Sequence, residues 1–263
     1  MHFTKYNGLG NDFIFLDGET ALSVKDPATL ARTLCNRYTG IGADGLVLLL
    51  PSEKADVRMR IINSDGSEAE MCGNASRCVP LHCLKKGFTS KKQITLETLA
   101  GIIHTEILDE RQGLVRVNMK NPRDIVPSFG VKLATQEWVG TKVSMGNPHF
   151  VLVVEDVENF PVAELGPLLE THSLFPQKTN VEFVQILNKT QVRMRVWERG
   201  AGITRACGTG ACATAVACIL QGLTEKQVTV KLDGGELQIA WPEKQDIFMT
   251  GPAQQVFEGE ISL

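Results

Sequence analysis

ACGTGAC, residues 206–212, sets Cys207 between a glycine-rich approach, ERGAGITRA at 198–206, and an apolar run through Ala213, Ala215, Val216, Ala217, Cys218, Ile219 and Leu220. A run with almost no polar face predicts a helix buried on all sides, with the cysteine at its first turn. A second Cys-Gly-polar stretch, MCGNASRC at 71–78, also heads a helical passage. Cys72 and Cys207 are 135 residues apart, close to half of the 263-residue chain.

Other pairs share nearly that spacing. VRMRI at 57–61 returns as VRMRV at 192–196, offset 135, and GNDFIFLDG at 10–18 returns loosely as GNPHFVLVV at 146–154, offset 136. TLAGIIHTEI at 98–107 resembles KLDGGELQIA at 231–240, offset 133. Matching stretches in one order predict a duplicated chain. The expected fold is α/β, with two pseudo-symmetric halves, each a strand-rich, barrel-like sheet wrapped around one central helix. The halves are expected at 1–121, joined by the C-terminal strand 253–263, and at 122–252.

Within the first half, NGLGND at 7–12 reads as a tight turn between strands, and DPATLARTLCNR at 26–37 as a helix with an Asp-Pro start. The helix beginning at Gly73 is expected to end at Gly87, a C′ glycine, and Pro80 inside it should kink it or weaken a turn. Residues 93–120 read as strands. Asn121 to about Gln136, with Pro122 and Pro127, reads as a linker. Val162–Glu170 reads as helical, and TNVEFVQIL and QVRMRVWE as strands.

A formal net charge of −3, a pI near 6.0 and no Lys/Arg run longer than two residues give no footprint for nucleic acid. No stretch approaches the ~20 apolar residues of a membrane span, and the N-terminus has no leader pattern. A cytosolic protein with a small neutral or zwitterionic partner is the expectation. Seven cysteines without CxxC spacing, and histidines without HxH or HExxH spacing, argue against a disulfide framework or a metal site.

A cysteine at a helix start meets the positive end of the helix dipole, which can lower its thiol pKa, beside backbone N–H groups suited to an anion. Gly73 and Asn74, and Gly208 and Thr209, would supply those groups to a substrate carboxylate. Two such ends serving one carbon would let one thiolate take an α-proton while a second thiol returns one from the opposite face. No cofactor is needed for that inversion. The remaining cysteines, 35, 78, 83, 212 and 218, read as small buried hydrophobes.

GLGNDF, GADG, NSDGSEAEMCGN, GNPH, ERGAG and ACGTGACA, in this order across the chain, resemble the diaminopimelate epimerase family. The resemblance implies a cofactor-independent isomerase with an active site in the cleft between two halves, interconverting LL- and meso-2,6-diaminopimelate for lysine and peptidoglycan synthesis. It makes Cys72 and Cys207 the acid/base pair, and Asn11, Asn63, Asn147, Asn180, Glu198 and Arg199 the readers of the distal amino acid group. His149 and Glu198 become the groups that tune the thiols. A homodimer is consistent with it. A racemase for another amino acid, such as histidine, on the same scaffold is the alternative, followed by a binding protein without turnover. Ser76, Pro80, Ile203 and Arg205 depart from the commonest family pattern and bear on substrate preference, and Arg205 is a cation that could further depress the Cys207 pKa.

Overall fold

The computed structural model describes residues 1–242 and 245–262; Glu243, Lys244 and Leu263, which the expected halves include, lie outside the described residues. The chain divides into two compact units, Met1–Val117 with Gly251–Leu263, and Asn118–Thr250. These boundaries fall a few residues short of those read from the sequence.

In the first unit, β1 (His2–Gly8) pairs antiparallel with β2 (Asn11–Leu16), and β2 pairs parallel with β3 (Gly45–Leu50). β3 continues antiparallel to β4 (Val57–Asn63), whose far end carries the short β5 (Glu68–Ala69). β4 pairs parallel with β6 (Gln93–Thr98), and β7 (Gly101–Asp109) and β8 (Leu114–Asn118) follow antiparallel. The central helix α3 (Gly73–Lys85) packs against β1, β6 and β7. On the other face lie α1 (Gly18–Leu22) and α2 (Pro27–Leu34), over Ile14, Leu16, Leu46 and Leu48. Asp26 caps α2 by accepting from Thr29 N–H at 3.1 Å, with Pro27 at the first helical position. The helix stops at Leu34, short of Arg37, because the Asn36 side chain takes the N–H groups of Tyr38 and Thr39 into a turn.

The second unit repeats this order. β10 (Gln136–Ser144) and β11 (Pro148–Val153) are antiparallel, β12 (Asn180–Asn188) is parallel to β11, and β13 (Gln191–Glu198) and the short β14 (Gly202–Ile203) follow antiparallel. β15 (Gln227–Leu232) is parallel to β13, with β16 (Gly235–Ala240) and β17 (Phe248–Pro252) antiparallel after it. The central helix α5 (Gly208–Leu220) touches β10, β11, β12, β13, β15 and β16, so the sheet curls around it. Every α5 residue from Gly210 to Cys218 is buried, as an apolar run without a polar face requires. α4 (Val162–Glu170) covers the other face over Phe150, Leu152, Val181 and Phe183.

Strand register gives the correspondence residue by residue. β2 meets β3 with Phe13 opposite Gly45, and β11 meets β12 with His149 opposite Asn180. Thr98 pairs with Gly101 and Leu232 with Gly235, which sets the offset there at 134 and corrects the 133 of the sequence match. Both central helices end in one motif. Phe88 N–H reaches Cys83 O at 2.9 Å after Gly87 at φ +72°, and Leu223 N–H reaches Cys218 O at 2.9 Å after Gly222 at φ +68°. α3 runs on through Pro80 without a break in its helical span.

The expected linker is a strand instead. β9 (Arg123–Leu133) pairs antiparallel with β10, and the register slips where Gly140 faces Phe129 but Lys142 faces Val126. Pro127 and Ser128 thus stand opposite Thr141 alone, a bulge that accommodates a residue without an N–H. In the first unit β18 (Gln254–Glu260) holds the same place along β1, with its own slip between Lys5 and Tyr6.

Candidate active site

In the first unit Cys72 is the N-cap of α3, at φ −136° and ψ 116°, with Gly73 and Asn74 opening the helix. Its Sγ lies 3.8 Å from Asn11 Oδ1, which also accepts from Asn74 Nδ2 at 3.1 Å. Asn11 in turn donates to Asp44 Oδ2 at 2.8 Å. Asp44 belongs to an ionic group the sequence reading did not assign. Arg37 bridges Asp44 at 2.9 Å and Asp12 at 2.7 Å, and the buried Lys5 lies 2.8 Å from Asp12. Burial acts to raise the Asp12 pKa, but hydrogen bonds from Arg37 and Lys5 outweigh it and hold the carboxyl below its usual range. The effect is a charged base under β2 that fixes the Asn11 amide. Asn63 ends β4, exposed, and donates to Ser67 Oγ at 3.0 Å. Its neighbour Ser64 ties to the same Asp44 through the backbone.

In the second unit Cys207 is the N-cap of α5, at φ −119° and ψ 108°. Its Sγ accepts from Gly210 N–H at 3.3 Å and lies 3.6 Å from Thr209 Oγ1. Asn147 donates to Thr209 Oγ1 at 3.3 Å, and its Oδ1 lies 3.0 Å from His149 Nε2. The other ring nitrogen of His149 is 2.6 Å from Glu182 Oε1, and both side chains are fully enclosed. Glu198 accepts from Thr204 Oγ1. Asn180 spends its amide on the backbone, donating to Pro148 O at 2.8 Å and accepting Arg199 N–H at 3.0 Å, so it staples β11 to the turn after β13. The Arg199 guanidinium donates to Gln177 O at 3.1 Å.

The structure therefore gathers Cys72, Gly73, Asn74 and Asn11 at one helix end, and Cys207, Gly208, Thr209, Asn147, His149 and Glu198 at the other. Glu182 was missed. A lone acid in the apolar strand sequence NVEFVQIL was the signal that could have found it.

One expectation is corrected. Burial pushes the Cys207 thiol well above its ordinary value, and the nearby Glu198 and Glu182 push the same way; the Thr209 and Gly210 hydrogen bonds oppose them without prevailing. Helix position alone does not make this thiol acidic. Arg205 is exposed and is not among the main influences on it. Burial likewise raises Glu198, partly offset by Thr204 and by Cys207 itself, with Glu182 adding to the rise. Cys35, Cys78, Cys83 and Cys218 are pushed up to about 12, chiefly by burial, in keeping with inert core thiols. Among the described residues no cluster of three His, Cys, Asp or Glu side chains is arranged to hold a metal, and no helix is long and apolar enough to cross a membrane.

The fold is shared with solved structures of low sequence identity. A probable proline racemase from Agrobacterium radiobacter superposes with a TM-score of 0.77 at 18% identity, covering 100% of this chain and 93% of that one. A PhzF-family phenazine biosynthesis protein from Bacillus anthracis gives 0.78 at 17%, covering 100% and 99%. Sequence relatives are much nearer. A diaminopimelate epimerase from Moorella thermoacetica is 50% identical with 100% of both chains covered, and one from Pelotomaculum thermopropionicum is 52% identical over 99% of this chain and 98% of that one. The family profile for diaminopimelate epimerase matches residues 3–125 and 141–256, spans that contain both cysteine-capped helices. With that match and full-length identity near one half, the chain belongs to the diaminopimelate epimerase family.

Proposed function

We propose that this protein interconverts LL- and meso-2,6-diaminopimelate without a cofactor, with Cys72 and Cys207 exchanging the α-proton on opposite faces of one carbon. The observation that carries the reading is the repeated helix start. Two copies of one topology each set a cysteine at the N-cap of a buried 13-residue helix, in a chain of this family. N–H groups of the first turns, at Gly73, Asn74, Gly208 and Thr209, would hold the α-carboxylate, where negative charge accumulates as the α-proton leaves. Cys207, kept protonated by burial and by Glu198 and Glu182, is suited to donate. In the reverse direction Glu198, which lies near enough for the two groups to influence each other, is the group suited to take its proton.

Arg199 is suited to a distal carboxylate and Glu198 to an ammonium, with Asn11, Asn63, Asn147 and Asn180 shaping the surrounding polar wall. His149 and Glu198 then act on the thiols. Cytoplasmic work in lysine and peptidoglycan precursor synthesis, as a single chain or a homodimer, fits this substrate.

The test is deuterium incorporation at the α-carbon in D₂O, followed by NMR, with reduced protein and LL-diaminopimelate, L-histidine or L-lysine. Exchange and inversion confined to diaminopimelate, and lost by ~10²-fold or more in both Cys72→Ala and Cys207→Ala, is the expected result. Exchange with another amino acid alone would replace the substrate, and full turnover in either variant would overturn the two-thiol mechanism.

A further inference from the structure

The two helix ends have the same backbone and different surroundings. By strand register, Phe13 corresponds to His149 and Val47 to Glu182. The first unit thus has an apolar pair where the second unit has a buried acid and an imidazole. A buried carboxylate is expensive, and this one has a second oxygen, Oε2, enclosed without a hydrogen-bond partner. The scaffold does not need it, since the same topology is built in the first unit with valine.

The helix itself has adapted to this acid. Position three of α3 is Ala75, and position three of α5 is Gly210. A Cβ on Gly210 would lie 2.7 Å from Glu182 Oε1, closer than real Cβ contacts come, and a tight 3.1 Å from Cys207 Sγ, so the carboxylate would have to shift. With Val47 in place of the acid, the first unit buries Ala75 at the equivalent place. Glycine at 210 lets the Glu182 carboxylate come up against the first turn of α5. From there a chain of contacts returns to the thiol: Glu182 to His149 at 2.6 Å, His149 to Asn147 at 3.0 Å, Asn147 to Thr209 at 3.3 Å, and Thr209 to Cys207 at 3.6 Å.

We propose that Glu182 is a positioning residue for the Cys207 half of the reaction, holding His149 by Nδ1 and setting the electrostatic environment of the thiol through the gap left at Gly210. Glu182 Oε1 anchors Nδ1 and so turns Nε2 toward Oδ1 of Asn147, whose amide donates to Thr209 in the first turn of α5. Its charge adds to that of Glu198 in keeping Cys207 a thiol. Among the charged side chains of the other strands packed on α5, Lys142 of β10 sits over the Phe129 ring, Lys231 of β15 pairs with Glu236 of β16, Arg193 of β13 pairs with Glu158 and Asp233, and Arg195 of β13 donates to the carbonyls of Val157, Glu158 and Phe160.

This inference rests on the proposed thiol mechanism, and its test separates the two. Wild-type and Glu182→Gln protein would be alkylated with iodoacetamide across pH, and modification of the Cys207 peptide read by mass spectrometry, beside diaminopimelate turnover. Removing the charge should lower the pH of half-maximal Cys207 alkylation by about one unit and reduce kcat more than KM. Core packing alone would not move that midpoint downward. An unmoved midpoint in a folded Glu182→Gln protein with wild-type kcat overturns the proposal. If that variant fails to fold, Glu182→Asp keeps the charge but withdraws it from Nδ1, and should lose roughly 10- to 100-fold in kcat; wild-type turnover there overturns the proposal as well. Absence of diaminopimelate turnover in the wild type would instead refute the substrate reading, and the alkylation shift would still report on Glu182.

Discussion

Gly210→Ala sets two rules against each other. Gly210 is the third residue of a 13-residue helix, where helix propensity alone predicts that alanine stabilises by up to about 1 kcal/mol. The geometry predicts the opposite. The added Cβ would stand 2.7 Å from Glu182 Oε1, 3.1 Å from Cys207 Sγ and 3.3 Å from Cys207 Cβ, inside the ~3.5–4.0 Å of ordinary carbon contacts. Neither neighbour can give easily: Glu182 is fully enclosed and tied at 2.6 Å to His149, and Cys207 caps the helix. Overpacking of this kind costs about 1–3 kcal/mol, so the net change is a loss of up to about 2 kcal/mol. Thermal unfolding should then fall by about 2–4 °C for each kcal/mol lost. Displacement of the thiol should lower kcat by roughly 10- to 100-fold. The equivalent change in the first unit, Ala75→Gly, meets no such contact and should cost about 1 kcal/mol of stability with turnover retained. A Gly210→Ala protein that melts above wild type and turns over normally would refute the argument.

Asp44→Ala removes the acceptor that fixes the Asn11 amide at 2.8 Å. The loss of a hydrogen bond to a charged group, about 1.5–3 kcal/mol, should raise KM for diaminopimelate by ~10-fold or more with a smaller change in kcat; unchanged steady-state kinetics would remove Asn11 from the site. Glu170→Gln tests a second buried acid, which accepts Trp197 Nε1–H at 2.7 Å and Gly200 N–H at 3.0 Å. Burial opposes ionisation there, but these donors and Lys178 outweigh it and depress the Glu170 pKa. A depressed carboxyl stabilises the fold fully above its ordinary value of 4.5, and that contribution is lost as pH falls through the lower folded value. The variant should be about 1–3 kcal/mol less stable at pH 7, with the gap closing below about pH 4 in urea titrations; a gap independent of pH would refute the assignment.

What the sequence made legible were features that local chemistry dictates. The apolar run after Cys207 could only be a buried helix, Gly87 could take the left-handed conformation that ends α3, and Asp26-Pro27 could open α2. The duplication was legible because side chains that face a core twice are constrained twice, as in VRMRI and VRMRV. β9 was not, since Pro127 suppresses the alternation a strand normally shows and the bulge that absorbs it depends on a partner strand elsewhere in the chain. The Lys5, Asp12, Arg37 and Asp44 group was hidden for a related reason: its members come from separate elements, and only the β1, β2 and β3 pairing brings them together. Cys207 was placed correctly at a helix start, but its acidity was misjudged. The dipole of one helix is a local property, whereas burial and the approach of Glu182 and Glu198 come from β12 and β13.

That last point explains why a duplicated scaffold does not yield duplicate chemistry. Gene doubling supplies two equal backbone sites, each a cysteine N-cap before a buried helix, and two equal thiols would share no preference for which holds the proton at rest. The side chains break the tie. Asn63 stands where the second unit has Glu198, Val47 where it has Glu182, and Phe13 where it has His149, so three positions that are ionisable in the second unit are not in the first. Burial, together with the negative charge of Glu198 and Glu182, disfavours a thiolate at Cys207. The proposed two-base exchange needs one base and one acid at the moment substrate binds, and unlike surroundings on a common fold would supply that difference.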